Sequence, residues 1–365
     1  MSNYDLRNLE FLGTKSRGAI SEQIKSNIKS LSTLKKNGCK IGHLKYKKEI
    51  VNIPFKQYPK SFEILDFKHI RLVNVSEIKV DGLEQIINNG DNFETTLKLL
   101  VDNGNISYNS YLIKDKNNDY YFVITIFKEH KIVSDKPIGI DFGIGNDTLT
   151  IYDGNSQNIG LKISFSIPKT DANLQREFSK KQKGGKNYLK TKAKLNKTII
   201  KRTRTLDYIH NTIVSILTDY YGTIFIQDKG NIHNWQRLFG KQVEERSLGK
   251  LIYKLERKVN VININKWLPT TKKCPFCNHI QDVALNEKII TCEKCKHTID
   301  RNLRGAINIY NEGLSNRDVK FQINACGDEA STLQRLNEIS LKLNSIDEVI
   351  VSIVNESGKI HENEY

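Results

Sequence analysis

The chain has 365 residues, and 57 Lys and Arg against 41 Asp and Glu give a formal net charge of +16. That length supports two or three domains with a full core and no need of disulfides. Mean hydropathy is −0.49, no run nears the ~18 apolar residues of a membrane span, and the first residues lack the apolar core of a signal peptide. The composition therefore excludes a secreted or integral membrane class, favours the cytoplasm and calls for a polyanionic partner.

Residues 1–48 read as helical and basic. Ile20, Ile24, Ile28 and Leu31 recur at helical spacing, and NGC at 37–39 ends the run. Residues 49–135 alternate in short strand-like runs such as HIRLVNVSEIKV and YYFVITIF, with NNG, DNG and KDKNND as turns. KPIGIDFGIGNDTLTIYDG (136–154) reads as strand, glycine turn and strand, and places Asp141 at the end of an apolar run. The stretch 171–222 is a long helical region. Between Gln175 and Arg204 it carries twelve Lys and Arg against the single acid Glu177.

TIFIQDKGNI (223–232) is a short buried strand and a turn, SLGKLIYKLERKV (247–259) an amphipathic helix, and VININKWL (261–268) another strand. TIDRNLRGAINIYNEG (298–313) is a short helix. The segment 314–365 reads as a polar tail, partly helical and loosely held.

Cys274, Cys277, Cys292 and Cys295 form two C-x-x-C pairs separated by 14 residues. That is zinc-ribbon spacing, since each pair aims two thiolates at one point and two pairs complete a tetrahedron. A disulfide pair or a chance cluster is the alternative, and a reducing compartment argues against it. Four thiolates fill the shell, so this zinc is structural. Cys39 and Cys326 read as ordinary thiols.

The ordered motifs resemble the TnpB family, transposon-encoded RNA-guided nucleases related to the compact type V CRISPR effectors. IGIDFGIGNDTLT resembles its first RuvC motif. LQREFSKKQKGGKNYLKTKAKLNKTIIKRTRTLDYIHNTI resembles its basic bridge segment. WLPTTKKCPFCNHI and CEKCKHTIDRNLRGAINI resemble the two halves of its zinc ribbon with the third RuvC motif attached. INACGDEAST and KNGCKIGHLKYKK resemble its tail and wedge motifs.

The resemblance implies an α/β multidomain protein. It would have a RuvC-like RNase H fold with an inserted zinc ribbon (271–297), a β-rich wedge domain (49–135) and a shortened helical recognition region (1–48). The RuvC-like parts would be 136–170, 223–270 and 298–313, with the basic bridge and long helices at 171–222.

RuvC-type folds cut with two metal ions held by carboxylates. In this resemblance the three carboxylate positions are Asp141, Gln227 and Asn302, so two of the three are amides. Amides keep the shape and remove the charge, and hard Mg²⁺ gains most from charged oxygens. Mg²⁺ is therefore not expected to bind well, and Arg304 is expected to oppose it further.

The implied function is a nuclease-dead RNA-guided DNA-binding protein that represses transcription at a matched target. The alternative is an active RNA-guided endonuclease in which Asp228 or Asp300 completes a rearranged site. Strand alternation and helix rotation turn both away. A third class is an RNA-binding transposon accessory.

The implied partners are a guide RNA and double-stranded DNA next to a short adjacent motif, held by a monomeric protein. The expected location is the bacterial cytoplasm at the nucleoid. Candidate phosphate contacts are Lys45, Lys47, Arg176, Lys180, Lys181, Lys183, Lys186, Lys190, Lys194, Arg202 and Arg204. Tyr188 and Trp235 are candidate base-stacking side chains.

Overall fold

The structure is a computed structural model of the whole chain. It describes residues 12–42, 51–66, 68–81, 110–115, 118–124, 136–144, 148–167, 172–227, 230–284, 287–315, 329–347, 349–355 and 360–361. The chain divides into two compact units, 1–130 and 131–365.

The first unit holds helix α1 (Thr14–Lys36) and six short strands: β1 (Asn52–Phe55), β2 (Phe62–Ile64), β3 (His69–Leu72), β4 (Ser76–Lys79), β5 (Ser110–Lys114) and β6 (Tyr120–Val123). They form two antiparallel three-stranded sheets of order β1-β5-β6 and β2-β3-β4. Both sheets feed one apolar cluster. Phe55, Phe62, Ile64, Ile70 and Leu72 are buried in it, and Leu112 and Phe122 pack on them. The Phe62 and Phe122 rings meet edge to face at 5.1 Å, the favoured aromatic geometry. Ser16 and Ala19 of α1 are buried, but Ile24 and Ile28 are exposed. The apolar stripe read from the sequence is therefore real as a spacing and does not enter this unit's core.

The second unit is built on a seven-stranded mixed sheet. Its strands are β7 (Pro137–Phe142), β8 (Leu149–Tyr152), β9 (Gly160–Phe165), β10 (Thr223–Gln227), β11 (Asn260–Ile264), β14 (Val349–Val354) and β15 (Ile360–His361), in the order β11-β10-β7-β8-β9-β14-β15. β7, β8 and β9 form an antiparallel meander, and β10 runs parallel to both β7 and β11. The strands are apolar on both faces because helices cover both.

One face buries Ile138, Ile140, Ile151, Leu161, Ile163, Ile224 and Ile226. Against it lie the C-terminal half of α3 (Lys186–Tyr220), Val243 of α4 (Gly230–Arg246), α5 (Leu248–Glu256) and α7 (Glu329–Asn344). The other face carries α6 (Arg301–Ser315), whose Leu303, Ala306, Ile307 and Tyr310 pack with Tyr152, Phe225 and Ile264. A Cβ at Gly139 would come within 2.5 Å of the Ala306 carbonyl, so only glycine lets α6 lie this close to β7.

The described residues of 329–355 are not part of a loosely held polar tail. β14 pairs with β9 along its whole length, and Leu336, Ile339, Leu343, Val349, Val351 and Ile353 join the main core. Arg335 ties α7 down through an ion pair to the buried Asp153 at 3.0 Å. The reason is period-2 burial: in VIVSIV, Val349, Val351 and Ile353 are inward and Ile350 is 72% exposed. Residues 316–328, which contain Cys326 and most of INACGDEAST, lie outside the described residues.

Candidate functional site

Register fixes which polar side chains share the α6 face. Asp141 is opposite Thr150, and Thr150 is opposite Lys162. Ile226 pairs with Ile140, so Gln227 and Asp141 stand side by side, one residue further along neighbouring parallel strands ~4.8 Å apart. A polar row therefore crosses four strands: Gln227, Asp141, Thr150, Lys162.

α6 arrives above this row with its N-terminus. A Cβ at Gly305 would lie 2.6 Å from Asp141 Oδ2, so the carboxylate is pressed against the helix. Asn302 is one turn before Gly305 and therefore on the same helix face. Sheet register sets Gln227 beside Asp141, and helix spacing puts Asn302 on the face of α6 that meets Asp141 at Gly305.

Each group in that place is committed in a way the sequence did not show. Gln227 Nε2 donates to the Lys266 carbonyl at 3.1 Å and the Leu268 carbonyl at 3.0 Å. Its amide is a double donor turned to the loop after β11. Asp300 is the N-cap of α6: its Oδ1 accepts the backbone N–H of Asn302 at 3.0 Å and of Leu303 at 3.1 Å. Its Oδ2 forms a 2.7 Å ion pair with Lys162, and both side chains are less than a tenth exposed. Desolvation pushes the half-buried Asp141 carboxyl up to about 7, with Arg301 opposing and Asp300 adding to the rise. Near neutral pH it is only partly ionised.

Two sequence expectations need correction. Arg304 does not face Asp141. It is fully buried, and its Nε and Nη2 donate to the Lys273 and Lys272 carbonyls at 2.9 and 2.7 Å. Asn308 donates to the Thr270 and Lys273 carbonyls, each at 2.7 Å. Gln227, Arg304 and Asn308 therefore hold the strip 266–273 that leads into the ribbon. Second, helix rotation does not govern Asp300, because it ends β13 (Thr298–Asp300) and caps the helix from outside. Asp228 lies outside the described residues.

Among the described residues, those gathered here do not fit a two-magnesium centre. Of the three positions one is a carboxylate, one amide presents its N–H groups to carbonyls rather than an oxygen to a cation, and the neighbouring Asp300 has both oxygens engaged.

The four-cysteine cluster does fit a metal. Its four sulfurs lie within 4.8 Å of one another, with Cys274–Cys295 at 3.7 Å and Cys277–Cys292 at 3.5 Å. A tetrahedron with Zn–S bonds of ~2.3 Å has S–S edges of about 3.8 Å. Each pair sits on the same turn. The N–H of Cys274 donates to His279 O and that of Cys292 to His297 O, both at 2.8 Å. Asn278 and Lys296 adopt left-handed φ of 58° and 61°. Backbone N–H groups, that of Cys295 foremost, lower the Cys292 thiol below its ordinary value. β12 (Ile289–Thr291) pairs with β13 and joins the ribbon to α6.

The basic segment forms two helices. α2 (Ala172–Ser179) folds back on the start of α3, where Phe178 and Tyr188 stack at 4.6 Å. Tyr188 is therefore packed, not displayed. Arg176, Lys180, Lys183, Lys186, Lys190, Lys194 and Arg204 are exposed. Lys186, Lys190, Lys194, Lys197 and Lys201 make one exposed stripe at spacings of four, four, three and four. Lys181 pairs with Glu177 at 3.5 Å. Arg202 donates to the Ile167 carbonyl at 3.3 Å and the Glu244 carbonyl at 3.0 Å, so it anchors α3 and is not presented to a ligand. Lys45, Lys47 and the Trp235 side chain lie outside the description.

The core of this unit is a mixed sheet with a polar row on its central strands, and a four-cysteine ribbon lies between an edge strand and the helix crossing that row. Residues 246–309, which span α5, β11, the ribbon and most of α6, match the family model "Cas12f1-like, TNB domain". Over 118 residues the chain is 25% identical to a TnpB-like protein of Methanocaldococcus jannaschii, covering 32% of this chain and 28% of that relative. Among solved structures it is similar to a chain of a Cas12f1–sgRNA–target DNA complex, with 16% identity, a TM-score of 0.48, and 80% of this chain and 70% of that one covered. Over these segments the chain is thus similar in sequence to Cas12f1-like and TnpB-like proteins. Among the described residues no helix is long and apolar enough to cross a membrane.

Proposed function

We propose that this chain is a nuclease-dead, RNA-guided DNA-binding protein that represses transcription at a matched target. The observation that carries the reading is Gln227: its amide donates to two backbone carbonyls, a task that an ionised glutamate cannot perform. The residue is built into the scaffold as an amide.

The rest of the protein supports binding. The exposed lysine stripe of α3 neutralises phosphates without reading bases, which suits a protein that leaves sequence recognition to pairing between guide and target. The four-cysteine ribbon holds a structural zinc. A protein that opens a duplex and stays there obstructs polymerase. The competing reading, an endonuclease with relocated carboxylates, would draw on Asp228, which lies outside the described residues, or on Asp300, whose two oxygens are engaged by the helix and Lys162.

The test is to purify the protein from cells carrying its locus and sequence the RNA that comes with it. A discrete RNA with a constant scaffold and a short variable end is expected. With that RNA, the protein should shift a matched duplex and leave a matched plasmid intact in Mg²⁺ and in Mn²⁺. Cleavage returns the endonuclease reading. RNA binding without duplex binding returns the accessory reading. Random cellular RNA removes the guided reading altogether.

A further inference from the structure

The Lys162–Asp300 ion pair joins residues 138 apart in sequence and lies in the polar row that contains Asp141. Lys162 comes from β9, is 8% exposed, and stands on the same sheet face as Asp141 with Thr150 between them. The pair thus brings a buried ammonium into the centre whose other acidic member is Asp141. Arg301, at the first position of α6, is the cation that acts directly on Asp141, and its Nη1 also donates to the Ala284 carbonyl at 3.3 Å. With Asp141 ionised, two carboxylates and two protein cations balance at this centre. A centre with carboxylates also at 227 and 302 would carry two further negative charges and need an external cation to hold them together.

We propose that Lys162 is the resident counter-charge of this centre. It supplies to the acidic side chains the positive charge that a divalent cation would otherwise bring, so the sheet–α6 junction is complete without one. The inference rests on the reading of the centre as inactive and deepens it: the site has not merely lost ligands but is closed by a cation of its own. Burial makes the pair consequential. Exposed ion pairs contribute little, whereas removing one partner of a buried pair leaves an uncompensated charge.

The experiment is thermal unfolding of the full chain, zinc retained, with and without 10 mM Mg²⁺ or Mn²⁺ (about that concentration, chosen to exceed weak binding). Wild type is expected to melt at the same temperature in all three. Lys162→Met should melt lower by roughly 10 °C and recover part of the loss when Mn²⁺ is added. Lys162→Arg should stay close to wild type. Three results overturn the proposal: a wild-type midpoint that rises with Mg²⁺ or Mn²⁺ and loses the rise in Asp141→Asn; a methionine variant that melts like wild type; or one that melts low but ignores Mn²⁺, which makes the pair an ordinary ion pair. If the methionine variant does not fold, Mn²⁺ spin-resonance titration decides. Equal binding by wild type and Asp141→Asn supports the proposal, and tighter binding by wild type overturns it. Plasmid cleavage reports on the inactive reading, and the melting midpoints on this one, so the two fail separately.

Discussion

Gln227→Glu is the change that a restoration of the carboxylate centre would begin with, and the structure makes it costly. Both Gln227 N–H groups end on carbonyls, Lys266 O at 3.1 Å and Leu268 O at 3.0 Å. The substitution replaces that donor with a carboxylate oxygen facing two carbonyl oxygens. Two hydrogen bonds of about 1 kcal/mol each are lost, and the unpaired acceptors with their mutual repulsion add about 1 to 2 more. For a unit of this size that is a fall in Tm of roughly 6–15 °C. Gln227→Leu removes the donors without the repulsion and should lose less.

The introduced carboxyl is expected to titrate well above the usual carboxylate range, because its protonated form can donate to one carbonyl. Its penalty should therefore be smaller at pH 5 than at pH 8. Scanning calorimetry at the two pH values, with proteolysis mapped at 266–273, reads both effects. Trp267, 79% exposed between the two anchored carbonyls, gives a local fluorescence signal. A Gln227→Glu protein that melts with wild type at pH 8 refutes the anchoring argument. Sequence alone suggests that single restorations are silent and that Gln227→Glu with Asn302→Asp regains some cutting. The structure changes the first half of that expectation.

The ribbon should hold one zinc per chain, released by a thiol-modifying reagent and read by a colorimetric chelator. Its loss should expose 270–300 to protease while the main sheet persists, and a protein with no stoichiometric zinc counts against the site. For Asp141 the sign follows from a folded-state value of about 7, raised by burial above the ordinary carboxylate value of about 3.9. The folded state binds the extra proton, so this carboxyl's contribution falls as pH rises from about 4 to about 7 and is flat beyond. Asp141→Asn should gain on wild type across that window, by on the order of 3 kcal/mol at most given the partial exposure, and a pH-independent difference refutes the assignment. Replacing Lys186, Lys190 and Lys194 by Ala should reduce the slope of log binding constant against log salt by about two to three for duplex nucleic acid. Arg202→Ala should instead lower Tm and leave the slope nearly unchanged.

The parts of this protein that local spacing determines were legible in the chain. Two C-x-x-C pairs 14 residues apart bring four sulfurs together because each pair closes its own turn. Lysines four apart make a stripe because a helix repeats every 3.6 residues. Asp141, Gln227 and Asn302 stand as carboxylate positions only through the motif resemblance.

What the tertiary structure decided is what each of those side chains does once there. The partners of Gln227 are backbone carbonyls 39 and 41 residues away, and carbonyls carry no sequence signal. Arg304 reads as a charge near the centre, yet its guanidinium reaches the 272–273 carbonyls across a buried contact. Lys162 is one polar letter in GLKISF, and only the pairing of β8 with β9 sets it in line with Asp141. β14 hides in a segment of polar composition because its alternation has meaning only against β9. Local period and spacing are properties of neighbours along the chain. Hydrogen-bond partners and charge balance belong to neighbours in space, and the sheet register chose those.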